Sequence, residues 1–96
     1  MTDTPLRIEV KDAVGAAMNF VSDMYEGQRL RDLLLEEVEM DQGEDKWLIT
    51  IGFSLAKEES NSILSPSTSR KFERNYKIVT IDAHSGKPLS MKIRDI

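Results

Sequence analysis

Alternation is clearest in the stretch Lys46–Phe53, KWLITIGF, where Trp47, Ile49, Ile51 and Phe53 occupy every second position. On an extended strand those four project to one side, and the smaller or more polar Leu48, Thr50, Gly52 and Ser54 project to the other. This predicts a central strand with its large-residue face covered by a helix. The helix is predicted over residues 9–26. Val10, Ala13, Val14, Ala17, Val21 and Met24 recur at steps of three and four, flanked by Phe20 and Tyr25. Ala13, Ala16 and Ala17, with Gly15, thin its middle, which lets a sheet approach closely. Gly27 is placed to stop it.

Three more strands follow from the same pattern. Residues 33–41, LLLEEVEMD, read as a strand with Leu34, Glu36, Val38 and Met40 in one phase, inward towards the strand's middle and end. A polar turn at 42–45 makes a hairpin with 46–54, so the first hairpin spans 33–54. Residues 71–83 carry Phe72, Tyr76, Ile78, Val79 and Ile81, and the break in alternation at Ile78-Val79 suggests either a bulge or apolar residues on both sides. Asp82 to Lys87 is a turn in which Asp82 accepts from nearby backbone N–H groups and Gly86 takes a positive φ. Pro88 opens a last strand with Leu89, Met91 and Ile93 in one phase, completing a second hairpin over 71–95. Two segments fall outside this pattern. Residues 1–8 are a lead-in that suits a small edge strand (Leu6, Ile8 and Val10 alternate) or a helix start at Thr4-Pro5. Residues 55–70 are serine-rich, lack a sustained period, and predict a long loop that is functional or disordered, pinned by Ile63 and Leu64. The predicted fold is a single α+β domain: one N-terminal helix packed on a four-stranded antiparallel meander sheet.

Composition narrows the classes. The chain has 96 residues, no cysteine and a net charge of −4. One domain with a modest core follows from the length. Disulfides and thiolate metal sites are excluded, which fits a reducing compartment. No apolar run reaches a membrane span, and the N-terminus lacks the basic-then-apolar pattern of a secretory signal, so a cytoplasmic location is expected. Charge is uneven: residues 1–65 sum to −8 and residues 66–96 to +4. That predicts attraction between two parts of one sheet, or a basic docking surface.

The run LLLEEVEMDQGEDKWLITIGF, with the helix before it and NYKIVTIDAHSGKPLSMKIRD after it, resembles the PepSY-like group. The features are a leading helix, a tryptophan strand after a polar turn (Trp47), and a hairpin carrying Tyr76, Ile78, Ile81, Asp82 and Gly86. The resemblance covers most of residues 9–95. It implies a cystatin-like wrap of sheet around helix. Members of that group are often exported and are thought to bind or restrain peptidases. The resemblance implies no catalytic residues.

Candidate chemistry is sparse. Glu36, Glu37, Glu39, Asp41, Glu44 and Asp45 form an acidic run, but neighbours on a strand face opposite sides and the calcium-loop spacing is missing. A solvated face paired with basic residues is expected instead, with Lys77 or Arg74 as the partner that an inward Glu36 needs. His84, the only histidine, sits in a turn beside Ser85, where a nucleophile–base geometry is hard to build. Arg70, Lys71, Arg74, Lys77, Lys92 and Arg94, interleaved with Phe72 and Tyr76, form a basic strip of the kind that binds single-stranded nucleic acid, but the acidic total opposes this. No enzyme activity, metal or cofactor, and neither a nucleic acid nor a membrane partner, is expected. The expected function is a non-enzymatic interaction module, binding a protein partner or forming a homodimer through the sheet. Its contact residues are Leu48, Ile63, Leu64, Phe72, Arg74 and Tyr76, with Leu48 and one of Ile78 or Val79 making an apolar patch on the second face.

Overall fold

A computed structural model of the chain describes residues 6–56 and 72–95. It contains α1 (Val10–Met24), β1 (Leu30–Asp41), β2 (Lys46–Ala56), β3 (Phe72–Asp82) and β4 (Pro88–Ile93). The strands form one antiparallel sheet in the order β1-β2-β3-β4, with α1 packed across one face. The expected α+β architecture and its meander order are therefore correct.

The buried core is Ala13, Ala17 and Val21 of α1 against Ile49, Ile51 and Phe53 of β2 and Val79 and Ile81 of β3. The alanines sit where the helix crosses the two central strands. Small side chains there keep the helix close enough for the branched residues of the sheet to fill the gap. Tyr25, at the end of the helix, packs its ring 4.9 Å from that of Phe53. Gly27 has φ +88° and turns the chain out of the helix. Gly15, by contrast, is exposed with open space around it, so close packing is not its role. Val10 and Met24, at the two ends of the predicted stripe, are exposed because the helix overhangs its contact with the sheet.

Register separates the two faces. In the β2–β3 ladder, Trp47, Ile49, Ile51 and Phe53 lie opposite Ile81, Val79, Lys77 and Asn75. This ladder is unbroken, so the Ile78-Val79 pair marks a strand apolar on both sides, with Val79 in the core and Ile78 on the open face. Trp47 is only partly buried. It packs at the margin of the core and donates from Nε1 to the Ile8 carbonyl at 3.3 Å.

β1 differs most from its predicted form. It begins three residues earlier and carries two irregularities, between Arg31 and Leu34 and between Leu35 and Glu37. Asp32 sits in the first with φ 54°. Each irregularity shifts the phase. Leu30, Leu33 and Val38 pack against the core, whereas Leu34 is exposed and Glu36 reaches over the face away from the helix. The phase predicted inward towards the middle and end of the strand is so at Val38 and Met40, opposite Ile49 and Trp47, and not at Glu36 or, earlier in the strand, at Leu34.

The lead-in is neither helix nor strand over residues 6–9. Its Ile8 N–H donates to the Ala83 carbonyl at 2.6 Å, tying it to the β3–β4 turn. That turn forms as predicted: Asp82 Oδ1 accepts from the N–H of His84 (2.8 Å) and of Ser85 (2.9 Å), and Gly86 has φ +74°. Leu55 and Ala56 belong to β2 rather than to a loop. The remainder of the predicted 55–70 loop, and Thr4-Pro5, lie outside the described residues.

Candidate functional site

The face of the sheet away from α1 has no second layer over it among the described residues. Along β2 it presents Leu48, Thr50, Gly52 and Ser54. Opposite them stand Thr80, Ile78, Tyr76 and Arg74 on β3, and Glu39, Glu37, Leu34 and Arg31 on β1. Ser90 and Lys92 continue it on β4.

Two arginines lie across this face. Arg74, from β3, reaches over β2. Its guanidinium donates to Glu36 Oε1 at 3.0 Å, to the Asp32 carbonyl at 2.6 Å and to Ser54 Oγ at 3.4 Å, with its carbon 5.9 Å from the centre of the Tyr76 ring. Arg94, just beyond β4, reaches further. It donates to Thr50 Oγ1 at 2.7 Å and pairs with Glu37 Oε2 at 3.0 Å, and this pairing with Glu37 raises the pKa of Arg94. Thr50 and Ser54 are only 3% and 9% exposed on a face with no covering layer, because the two arginine side chains lie over them.

Gly52 makes the first bridge possible. A β-carbon there would come within 2.8 Å of Glu36 Oε1 and 2.9 Å of Arg74 Nη2. Glycine inside a central strand costs stability, and here it marks a close approach. The bulge before Glu37 serves the same end. It sets Glu36 and Glu37, neighbours in sequence, on separate cross-sheet pairs.

A second cluster closes the turn end of the sheet. Arg7 pairs with Asp45 through Nε at 2.8 Å and through its second guanidinium nitrogen. His84 Nε2 lies 3.5 Å from Asp45 Oδ2, and its Nδ1 lies 3.4 Å from the Leu6 carbonyl. Asp45 holds φ 53° between these contacts. Bonding to Arg7 and then to His84 lowers the Asp45 carboxyl pKa, and the backbone bonds from Ser85 and His84 lower that of Asp82. Both ring nitrogens of His84 are thereby engaged with Asp45 and Leu6, and Ser85 Oγ accepts from the Lys87 N–H at 3.2 Å. This is a clamp that fastens the lead-in to both turns, and the sequence pattern does not reveal it.

Of the predicted contact residues, Leu48, Arg74 and Tyr76 share the open face. Arg74 and Tyr76 touch, whereas Leu48 lies two same-face positions along the sheet, roughly 13 Å from Tyr76. Phe72 begins β3 opposite Ala56. Ile63 and Leu64 lie outside the described residues. Ile78, not Val79, joins Leu48 on this face. The arginine bridges occupy the other end of this face. The basic strip is likewise divided. Lys77 is on the helix side opposite Ile51, Arg74 and Arg94 are bonded to glutamates, and Arg70 and Lys71 lie outside the described residues. In the acidic run, Asp41 accepts from the Glu44 N–H and Glu44 pairs with Lys46. Among the described residues no group of three or more acidic, histidine or cysteine side chains gathers to hold a metal, and no helix is long and apolar enough to cross a membrane.

No family model, curated protein or solved structure matches this chain.

Proposed function

We propose that this chain is a non-enzymatic interaction module that works in the cytoplasm and engages a protein partner or a second copy of itself through the sheet. One observation carries this. Leu48, Ile78 and Tyr76 stand half-buried on a face where Arg74 and Arg94 are already bonded to Glu36 and Glu37, with no second layer over it among the described residues. Arg74 and Arg94 on this face already have carboxylate partners, so docking over them leaves neither ion unpaired. The engagement of His84 away from Ser85 supports a role without catalysis, and the absence of cysteine supports a reducing compartment.

The test is light scattering across concentration, with capture from lysate alongside, on the wild type and on Leu48→Lys. Loss of partner capture in the variant, with an unchanged melting curve, is the expected result. A wild type that stays monomeric throughout and captures nothing overturns the proposal.

A second reading is a PepSY-like module that regulates a peptidase or binds a small ligand. What supports it is the helix-then-four-strand order, with Trp47 on the strand after a polar turn and the Asp82-to-Gly86 turn in the last hairpin. Its contact would be the 55–70 segment. Deleting residues 60–69 would then abolish peptidase inhibition and leave the melting temperature nearly unchanged.

A further inference from the structure

We infer that two copies of this chain join edge to edge through β4, antiparallel about a two-fold axis at Met91, so that the two four-stranded sheets become one. This rests on the interaction-module reading in its second-copy form, and it places that self-contact at the sheet edge, apart from the open face of Leu48.

β4 is the last strand of the sheet, and its outer side has no neighbouring strand among the described residues. The Arg94 N–H donates to the Tyr76 carbonyl at 3.0 Å. In an antiparallel ladder bonded residues alternate, so Lys92 and Ser90 also turn their backbone groups towards β3. The N–H and C=O groups of Met91 and Ile93 then point outward. The side chains on this edge are apolar in the phase that faces α1: Leu89 is 50% exposed, Ile93 is 75% exposed, and Met91 packs against the margin of the core. Apolar side chains beside free backbone donors and acceptors make a template for another strand.

Self-complementarity makes a second copy the partner. With the axis at Met91, Leu89 of each copy lies opposite Ile93 of the other, and Ser90 opposite Lys92. Just beyond the strand, Lys87 comes opposite Asp95. Other registers are worse. An axis at Lys92 sets two lysines against each other, which destabilises a pair. An axis at Ser90 sets Ile93 against Lys87. A slip by one residue sets Leu89 against Lys92 and exchanges the faces. β1, the other edge, is broken by two irregularities and carries Glu37, Glu39 and Asp41 over its regular part, so like charges oppose its pairing with itself. The features that shield β4, namely Pro88 and the irregularity that leaves Leu89 without a partner on β3, lie at one end of the strand, and Lys92 faces the open side of the sheet rather than outward. The seam is short, so the dimer is weak and depends on concentration.

The test is sedimentation equilibrium from micromolar to millimolar chain concentration on the wild type, Leu89→Lys, Ile93→Glu and the double variant, with a melting curve for each. The wild type is expected to approach twice the monomer mass. Each single variant weakens the dimer by about tenfold or more. The double variant recovers it, because the introduced lysine of one copy faces the introduced glutamate of the other. Independently, Met91→Cys, the only thiol in the chain, should crosslink to its own copy on oxidation. An antiparallel bonded pair has Cα atoms about 5.5 Å apart, within disulfide range. A monomeric wild type at the highest concentration, a double variant no better than the singles, or a mass growing beyond two overturns the inference. If Leu48→Lys dissociates the wild-type assembly and the β4 variants do not, the edge is wrong and the interaction-module reading stands. If no variant matters because nothing associates or is captured, both fall.

Discussion

Two glycines show how little a residue's identity says without its surroundings. Gly15 and Gly52 both interrupt a regular element. Gly15 faces open space on the outer side of α1, so a methyl group there meets nothing. Gly15→Ala should stabilise the fold by about 0.5–1 kcal/mol through helix propensity and reduced backbone entropy. In a domain of this size that is a rise in melting temperature of several degrees. Gly52 lies beneath the Glu36–Arg74 bridge. Gly52→Val should break that bridge, and a double-mutant cycle reports it. The Glu36–Arg74 coupling, about 0.5–1 kcal/mol for a partly exposed pair, should vanish in the Gly52→Val background. A coupling that survives the valine would mean the bridge does not pass over Gly52.

Helix α1 and strand β2 are the elements on which periodicity worked best, because each has one face wholly committed to the core. Ala13, Ala17 and Val21 recur at four-residue steps and all are buried. The tight helix–sheet contact predicts that Ala17→Leu costs about 1–3 kcal/mol by overpacking, whereas the same change at the exposed Ser22 should be close to neutral. Equal effects at both sites in denaturant titrations would mean the alanines do not set the spacing. Trp47 shows the limit of such reasoning. It is in phase with the core residues, yet it lies at the turn end, where its indole N–H holds the lead-in. β1 shows a different limit. Its alternation is read against irregularities at Asp32 and Glu36 that have no clear mark in the sequence, since a leucine run suits either phase.

The whole molecule is tied together by charge as well as by its core. The uneven distribution along the chain resolves into contacts: Arg74 and Arg94, from the basic third, reach Glu36 and Glu37 on β1. Two aspartates at the turn end, Asp45 and Asp82, have carboxyl pKa values lowered below the ordinary 3.8 by hydrogen bonds. The folded state therefore holds fewer protons than the unfolded chain just below that value, and stability rises with pH there. The contribution is complete above the ordinary carboxylate range and is lost as pH falls through the lowered values. Melting curves from pH 6 down to about pH 2.5 should steepen their loss below about pH 4, and Asp82→Asn should flatten part of that slope. A slope unchanged by Asp82→Asn would remove the turn from the acid response.

The sequence alone determined the element types and order, the core faces of α1, β2 and β3, and the Asp82–Gly86 turn. Each rests on local physics: a 3.6-residue or two-residue period, or a side chain bonding backbone two or three residues away. Only the tertiary structure decided the phase of β1, the pairing of Glu36 with Arg74 instead of Lys77, the covering of Thr50 and Ser54 by arginines, and the clamp of Arg7 and His84 on Asp45. Those contacts join residues about twenty to eighty positions apart. Strand register chooses among several chemically equivalent partners, and register is settled by packing across the whole sheet.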